Sequence, residues 1–316
     1  MIHRNLAASS APVTRNRLNR LIDRALPGQI ADSFETLPGG MRNLNLLIRF
    51  GPSHPAVVLR LYRRDPSACR KEASILRSTA ATLPVPELIF ADETGDEDIG
   101  PWLVYRYAEG MTFQELKKHG CADDMAQASF AIGETLASLQ SIGTPALLAS
   151  EVLSQRPAFD FFDCPVLEQR IGVRDARRTL DCLTAWSLQA TDELDRQALV
   201  HGDFNNRNTL VNRIGGRWRV TGVLDWELAI AGSPLWDAAR FICYEDPLHS
   251  RREPHFSNGF RHAGGQLPDD WTEVARILNA LSAAQSLNSA DLPETFVPEL
   301  CELVLSAVDR RPRFLN

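Results

Sequence analysis

Residues 199–211 read LVHGDFNNRNTLV. His201, Gly202 and Asp203 stand in a row, Asn208 follows five positions after the acid, and apolar residues close both sides. A polar run bracketed by core-like segments predicts side chains projected from a rigid frame into a shared pocket. Downstream, IGG at 214–216 signals a tight turn between two short strands, and the second arm ends in VLDWE at 223–227. A hairpin folds back on itself, so the spacing predicts that Asn208 and Asp225 can meet. Transfer of a phosphoryl group from a nucleotide needs a carboxylate for the acceptor proton, hard oxygens for a metal, and a cation with backbone N–H groups for the phosphates. Asp203 suits the first task, and Asn208 and Asp225 suit the second. Three oxygen-bearing residues so spaced seldom arise as mere turn residues.

Working outward, the pattern changes character near residue 100. Leu18, Leu21, Ile22 and Ala25 recur at helical spacing within 13–26. Residues 33–50 read as strand, glycine turn and strand, and 56–64 as another β-branched strand. A helix with a Pro-Ser start follows over 66–83, then two strands around an acidic turn in 85–110. Beyond Gly110 the periodicity is mainly helical: 125–142, one or two helices over 166–194, then 235–244, 271–284 and 296–310. The expected layout is α+β: a β-rich part over 1–103 whose first dozen residues read as a partly disordered lead-in, a hinge at 104–110, and a larger helical part over 111–316.

HGDFNNRN followed by VLDWE resembles the aminoglycoside phosphotransferase and choline kinase family, small-molecule relatives of protein kinases. The resemblance runs over roughly residues 30–245. It implies a bilobal protein-kinase-like fold, Mg²⁺, and ATP as co-substrate with GTP not excluded. It makes Asp203 the catalytic base and Asn208 and Asp225 the metal ligands. LPGGMRNLNLLIRF looks like the family's nucleotide-covering loop, giving Gly39, Gly40 and Asn43. VVLR places Arg60 on the strand where kinases carry a phosphate-binding Lys, with Glu72 as its ion-pair partner. WLVYRYAEG resembles the family hinge, whose backbone would meet the adenine at Tyr105, Tyr107 and Ala108. Two departures stand out. Arg replaces Lys at 60, which keeps the charge but changes its geometry, and Ser233 replaces the first Asp of the Gly-Asp-Pro-x-x-Asp segment. Asp237 remains, with an expected structural role in anchoring the catalytic loop through backbone N–H groups.

Taken singly, several of these residues have plainer readings. A Gly-Gly pair is most often a hairpin turn, and Arg60 with Glu72 alone reads as an exposed ion pair worth about 0–1 kcal/mol. His201 reads as a packed residue fixing the loop, and Trp102, Trp226 and Trp236 as packing. Glu227 divides evenly between a partner of the metal site and a solvated acid.

Only nine residues separate Asp225 from the helix near Leu235, too few for the activation segment with which a protein kinase docks a peptide. A small-molecule hydroxyl is therefore the expected acceptor, aminoglycoside-, amino-alcohol- or sugar-like. The competing reading is a non-catalytic nucleotide-binding regulatory protein on the same fold. The net charge of −6 over 316 residues argues against a nucleic-acid partner. Residues 1–100 hold 13 basic and 11 acidic residues, a balance of +2; residues 101–316 hold 21 and 29, a balance of −8. An acidic helical part weakly favours cationic acceptors by long-range attraction. Six scattered cysteines without a CxxC pair read as reduced thiols. With no signal-peptide or membrane-span pattern, the expected setting is cytoplasmic.

Overall fold

The computed structural model describes residues 13–37, 43–52, 54–95, 99–145, 148, 164–189, 197–243, 251–289 and 292–309. The chain divides into two compact units, Met1–Gly110 with Thr221–Leu228, and Met111–Val220 with Ala229–Asn316. The sequence grouped everything after the hinge with the helical part, but Thr221–Leu228 packs with the first unit. Its Val223 amide donates to the Pro84 carbonyl at 2.8 Å, and the Thr221 hydroxyl to that of Glu109 at 2.7 Å. Part of the expected hinge is regular strand: the Arg106 and Tyr107 amides donate to Glu87 and Ala56 carbonyls at 2.9 and 3.0 Å.

The first unit opens with helix α1 (Arg15–Ala25), whose N-cap Thr14 accepts a hydrogen bond from the Arg17 amide at 3.3 Å. Five strands follow, β1 (Ser33–Thr36), β2 (Asn43–Arg49), β3 (Val57–Tyr62), β4 (Leu88–Asp92) and β5 (Trp102–Arg106), with α2 (Ser67–Thr79) between β3 and β4. They form one antiparallel sheet in the order β1-β2-β3-β5-β4. All six residues of β3 are buried because the sheet is covered twice. Leu18, Leu21 and Ile22 of α1 pack with Leu59, Leu61 and Val104 on one face. Ala68 and Cys69 of α2 pack with Val58, Tyr62 and Tyr105 on the other. Each buried Leu, Ile or Val among them contributes about 1.5–3 kcal/mol by leaving water. Alternation along β3 puts Arg60 on the α2 face, between Val58 and Tyr62.

The second unit holds β6 (Met111–Thr112), α3 (Phe113–His119), α4 (Ala122–Gln140), α5 (Cys164–Ile171), α6 (Val173–Gln189), β7 (Ala198–Val200), β8 (Thr209–Ile214), β10 (Ile230–Gly232), α7 (Leu235–Ile242), α8 (His255–His262), α9 (Trp271–Leu287) and α10 (Val297–Asp309). Strand β9 (Arg217–Val223) runs from this unit into the first. Of the span 166–194, the described residues 166–189 form two helices, parted at Gly172, whose φ of +85° suits glycine at a helix end; 190–194 lie outside the described residues. Helix α3 starts on a capping box between Thr112 and Glu115 that the sequence reading did not use. Helix α8 was missed because HFSNGFRH, preceded by a proline, reads as a loop. Its glycine is required by packing: a Cβ on Gly259 would lie 2.0 Å from the Phe130 carbonyl oxygen, and one on Gly133 of α4 would lie 2.1 Å from that of Phe256. The two helices touch backbone to backbone at facing glycines. A separate core joins Leu183 and Trp186 of α6 to Ala280 and Ala284 of α9 and Val304 of α10.

Candidate active site

In the first unit, Arg60 is 4% exposed. Its Nε lies 3.2 Å from Glu72 Oε2 as an ion pair without hydrogen-bond alignment, while Nη2 reaches Asp225 Oδ1 at 2.5 Å and Glu227 Oε2 at 3.3 Å. Helical spacing explains the partner: Cys69, Glu72, Ala73 and Leu76 line the inward face of α2, so Glu72 is delivered beside β3. The pair is therefore buried, and the exposed-pair reading is overturned. Burial works against the Arg60 charge, but Glu72 and Asp225 outweigh it and hold the guanidinium well above its ordinary range. Burial likewise raises the Glu72 carboxyl, against the pull of Arg60. The Tyr62 hydroxyl donates to Glu72, and burial raises that phenol too. The Cys69 thiol is pushed up to about 12 by burial and is inert at neutral pH.

Asp225 follows β9 at φ +69°, the one positive φ of a non-glycine residue among the described residues. A short 3₁₀ turn, Trp226–Leu228, comes next, fixed by the buried Trp226, whose indole donates to the Val223 carbonyl at 3.0 Å. The turn directs Glu227 inward, where it accepts from the Asn43 amide at 2.5 Å. Glu227 thus joins the start of β2 to Arg60 and is not a solvated acid. Gly39 and Gly40 lie outside the described residues. Of the expected hinge residues, Tyr105 is buried on the α2 face, while Tyr107 is exposed with its amide already given to Ala56.

In the second unit, β7 pairs antiparallel with β10 and ends at the buried His201. Asp237 on α7, 1% exposed, accepts from the His201 and Gly202 amides at 2.7 and 3.1 Å. This is the anchoring role expected of it. Burial nevertheless pushes its carboxyl up to about 6. Ser233, at the position of the missing acid, is buried and accepts from the Leu235 amide at 3.2 Å, just ahead of α7. The Asp203 amide donates to His201 Nδ1 at 3.2 Å, so the imidazole holds the loop.

Asn205 Oδ1 accepts from the Arg207 amide at 2.8 Å and closes the turn that carries Asn208. The Asn208 side-chain nitrogen then donates to the Asp203 carbonyl at 2.9 Å and to its carboxylate Oδ2 at 3.0 Å. Both partners are acceptors, which fixes the amide orientation and points its oxygen away from them. Asp203 Oδ1 lies 3.5 Å from Arg240 Nη2 on α7, a contact the sequence did not suggest. Its only signal is that Arg240 sits three residues after Asp237, one turn along the same helix.

The Asn208 amide oxygen and the Asp225 oxygen not engaged by Arg60 are hard donors of the kind Mg²⁺ takes. Asp225 belongs to the first unit and Asn208 to the second.

The model of the phosphotransferase enzyme family matches residues 33–277. Acyl-CoA dehydrogenase family member 11 of Pongo abelii is 28% identical over 192 residues, 55% of this chain and 22% of that protein. Acyl-CoA dehydrogenase family member 10 of Mus musculus is 25% identical over 209 residues, 60% and 19%. The chain thus spans about a fifth of these curated relatives. Among solved structures, ADP-bound aminoglycoside phosphotransferase APH(2'')-Ib superposes with a TM-score of 0.64 at 14% identity, covering 93% of this chain and 97% of that one. APH(4)-Ia with ADP and hygromycin B gives 0.62 at 19%, covering 92% and 98%. APH(2'')-IIa with streptomycin and ATP gives 0.63 at 13%, covering 96% and 100%. At these identities the likeness establishes the fold.

Proposed function

The chain belongs to the phosphotransferase enzyme family, and we propose that it moves the γ-phosphoryl group of ATP to a hydroxyl of a small molecule with Mg²⁺. The observation that carries this reading is the Asp203–Asn208 pair at 3.0 Å, on a loop whose backbone is pinned from beneath by Asp237. A merely structural turn has no need of a partly exposed carboxylate held firmly at one oxygen and only loosely paired at the other.

In the step itself the acceptor oxygen bonds to the γ-phosphorus as the bond to the β–γ bridging oxygen breaks. The nucleoside diphosphate leaves with the electron pair, and the hydroxyl proton passes to Asp203 and then to solvent. Such transfers depend mainly on positioning and on charge stabilisation. Asp203 orients the hydroxyl. Arg60, fixed by Glu72, neutralises phosphate charge. Asn43, Gly39 and Gly40 cover the phosphates, and the backbone at Tyr105, Tyr107 and Ala108 meets the base. Asn208 and Asp225 would hold the metal, which would supply positive charge to offset that of the phosphates. The acceptor is a small-molecule alcohol, and nucleic acid and membrane are not partners. Among the described residues no helix is long and apolar enough to cross a membrane. Cys69, Cys121, Cys182, Cys243 and Cys301 are free, and free thiols suit a cytoplasmic setting.

The test is nucleotide consumption, with ATP and GTP in parallel, against pooled hydroxyl compounds with and without Mg²⁺. Metal-dependent consumption that one pool stimulates, lost in Asp203→Asn, supports the reading. Nucleotide binding with no consumption in any pool, unchanged in Asp203→Asn, would make the chain a binding protein instead.

A further inference from the structure

Beside its acid the catalytic loop meets a charge that the proposed reaction does not use. Arg240 Nη2 stands 3.5 Å from Asp203 Oδ1, with the two side chains 36% and 27% exposed. At that separation the pair is loose, at the outer limit of hydrogen bonding. The other carboxylate oxygen is the one held tightly, by Asn208. Asp203 is Arg240's one ion-pair partner among the described residues, so most of the five guanidinium N–H donors stay available. The helix fixes where this cation stands. Asp237 ties the first turn of α7 to the His201 and Gly202 amides, and Arg240 follows one turn later.

A hydroxyl that hydrogen-bonds Asp203 therefore arrives beside a guanidinium. An ammonium next to that hydroxyl would face a like charge, whereas a carboxylate or phosphoryl group would meet a planar fork matched to it. This local charge bears on the acceptor more than the −8 balance of residues 101–316 does, because charges farther off than about 8 Å are largely screened at physiological salt.

We propose that Arg240 and Asp203 form an acceptor subsite for a hydroxyl compound bearing an anionic group, carboxylate or phosphoryl, close to the hydroxyl that is phosphorylated. The inference rests on the phosphotransferase reading and names its acceptor class. Asp203 takes the hydroxyl and Arg240 the anion, so the substrate is oriented at two points.

The test measures acceptor-stimulated ATP consumption in four matched pools: hydroxycarboxylates, phosphorylated sugars, neutral sugars and nucleosides, and amine-bearing alcohols including aminoglycosides. The expected result is stimulation by one of the two anionic pools, which also identifies the source of the charge. Arg240→Ala should raise the KM for that acceptor by about tenfold or more, with a smaller change in kcat, because a charge-assisted contact is lost. Arg240→Lys should recover part of the loss, and added KCl should raise the wild-type KM. Stimulation by the neutral or cationic pools alone overturns the inference while leaving the phosphotransferase reading intact. So does an anionic acceptor whose KM ignores Arg240→Ala. Silence from all four pools, with Asp203→Asn indistinguishable from wild type, overturns both.

Discussion

Replacing Arg60 with Met removes a buried cation and leaves its partner in place. Arg60 and Glu72 are 4% and 3% exposed at the side chain, whereas Asp225 is 33% exposed and can turn to water. The cost therefore falls chiefly on Glu72, and breaking a buried pair in this way costs about 3–5 kcal/mol. Burial already raises the Glu72 carboxyl, and Arg60 is what opposes that rise. Without Arg60 the folded state holds a proton on Glu72 more tightly than the unfolded chain does. The loss is then greatest at neutral pH and shrinks as pH falls, since a protonated Glu72 no longer buries a charge. Urea unfolding followed by circular dichroism, at about pH 7.5 and about pH 5.5, measures both the cost and its slope. Adding Glu72→Gln to Arg60→Met should recover most of the loss, a coupling of about 2 kcal/mol or more. A cost below about 1 kcal/mol at both pH values, or strict additivity of the two changes, would refute the reasoning, because surface pairs behave that way.

Asp203→Asn should lower kcat by orders of magnitude while leaving nucleotide affinity nearly intact, as steady-state kinetics and ADP titration would show. Asp225→Ala should abolish the Mg²⁺ dependence of nucleotide binding, read by calorimetry with and without the metal. Asp237, about 6 in the fold against an ordinary 3.8, contributes stability that is complete below 3.8 and lost as pH rises through about 6; the change is about 3 kcal/mol. Its ionised form anchors the loop, so kcat should rise over the same window, and Asp237→Asn should flatten the stability slope and lower kcat chiefly above about pH 6. Gly259→Val forces a side chain into the Phe130 carbonyl and should cost several kcal/mol, about 3 or more, with a matching drop in the unfolding midpoint.

The parts of this molecule that are local in sequence are the parts the sequence discloses. The apolar stripe of α2 places Glu72 inward by periodicity alone, and the five-residue step from Asp203 to Asn208 is a single turn of chain. What escapes is long-range. Asn43 and Glu227 are 184 residues apart, and Arg240 lies 37 from Asp203, so no pattern ties them. Helix α8 was hidden for another reason: the Asn258-Gly259 pair that signals a turn is there because α4 approaches too closely for any Cβ. Local propensity and tertiary packing disagree at that glycine, and packing decides.

The central claim is transfer of a phosphoryl group to an alcohol, and it is tested most directly by the product. The protein, Mg²⁺-ATP and the stimulating acceptor are incubated and followed by phosphorus NMR, with Asp203→Asn alongside. The account predicts a new phosphate-ester resonance that grows as the γ-phosphate signal declines, and its absence with Asp203→Asn. If the γ-phosphate appears only as inorganic phosphate, or the ester forms equally well with Asp203→Asn, the assignment of acceptor and base is contradicted.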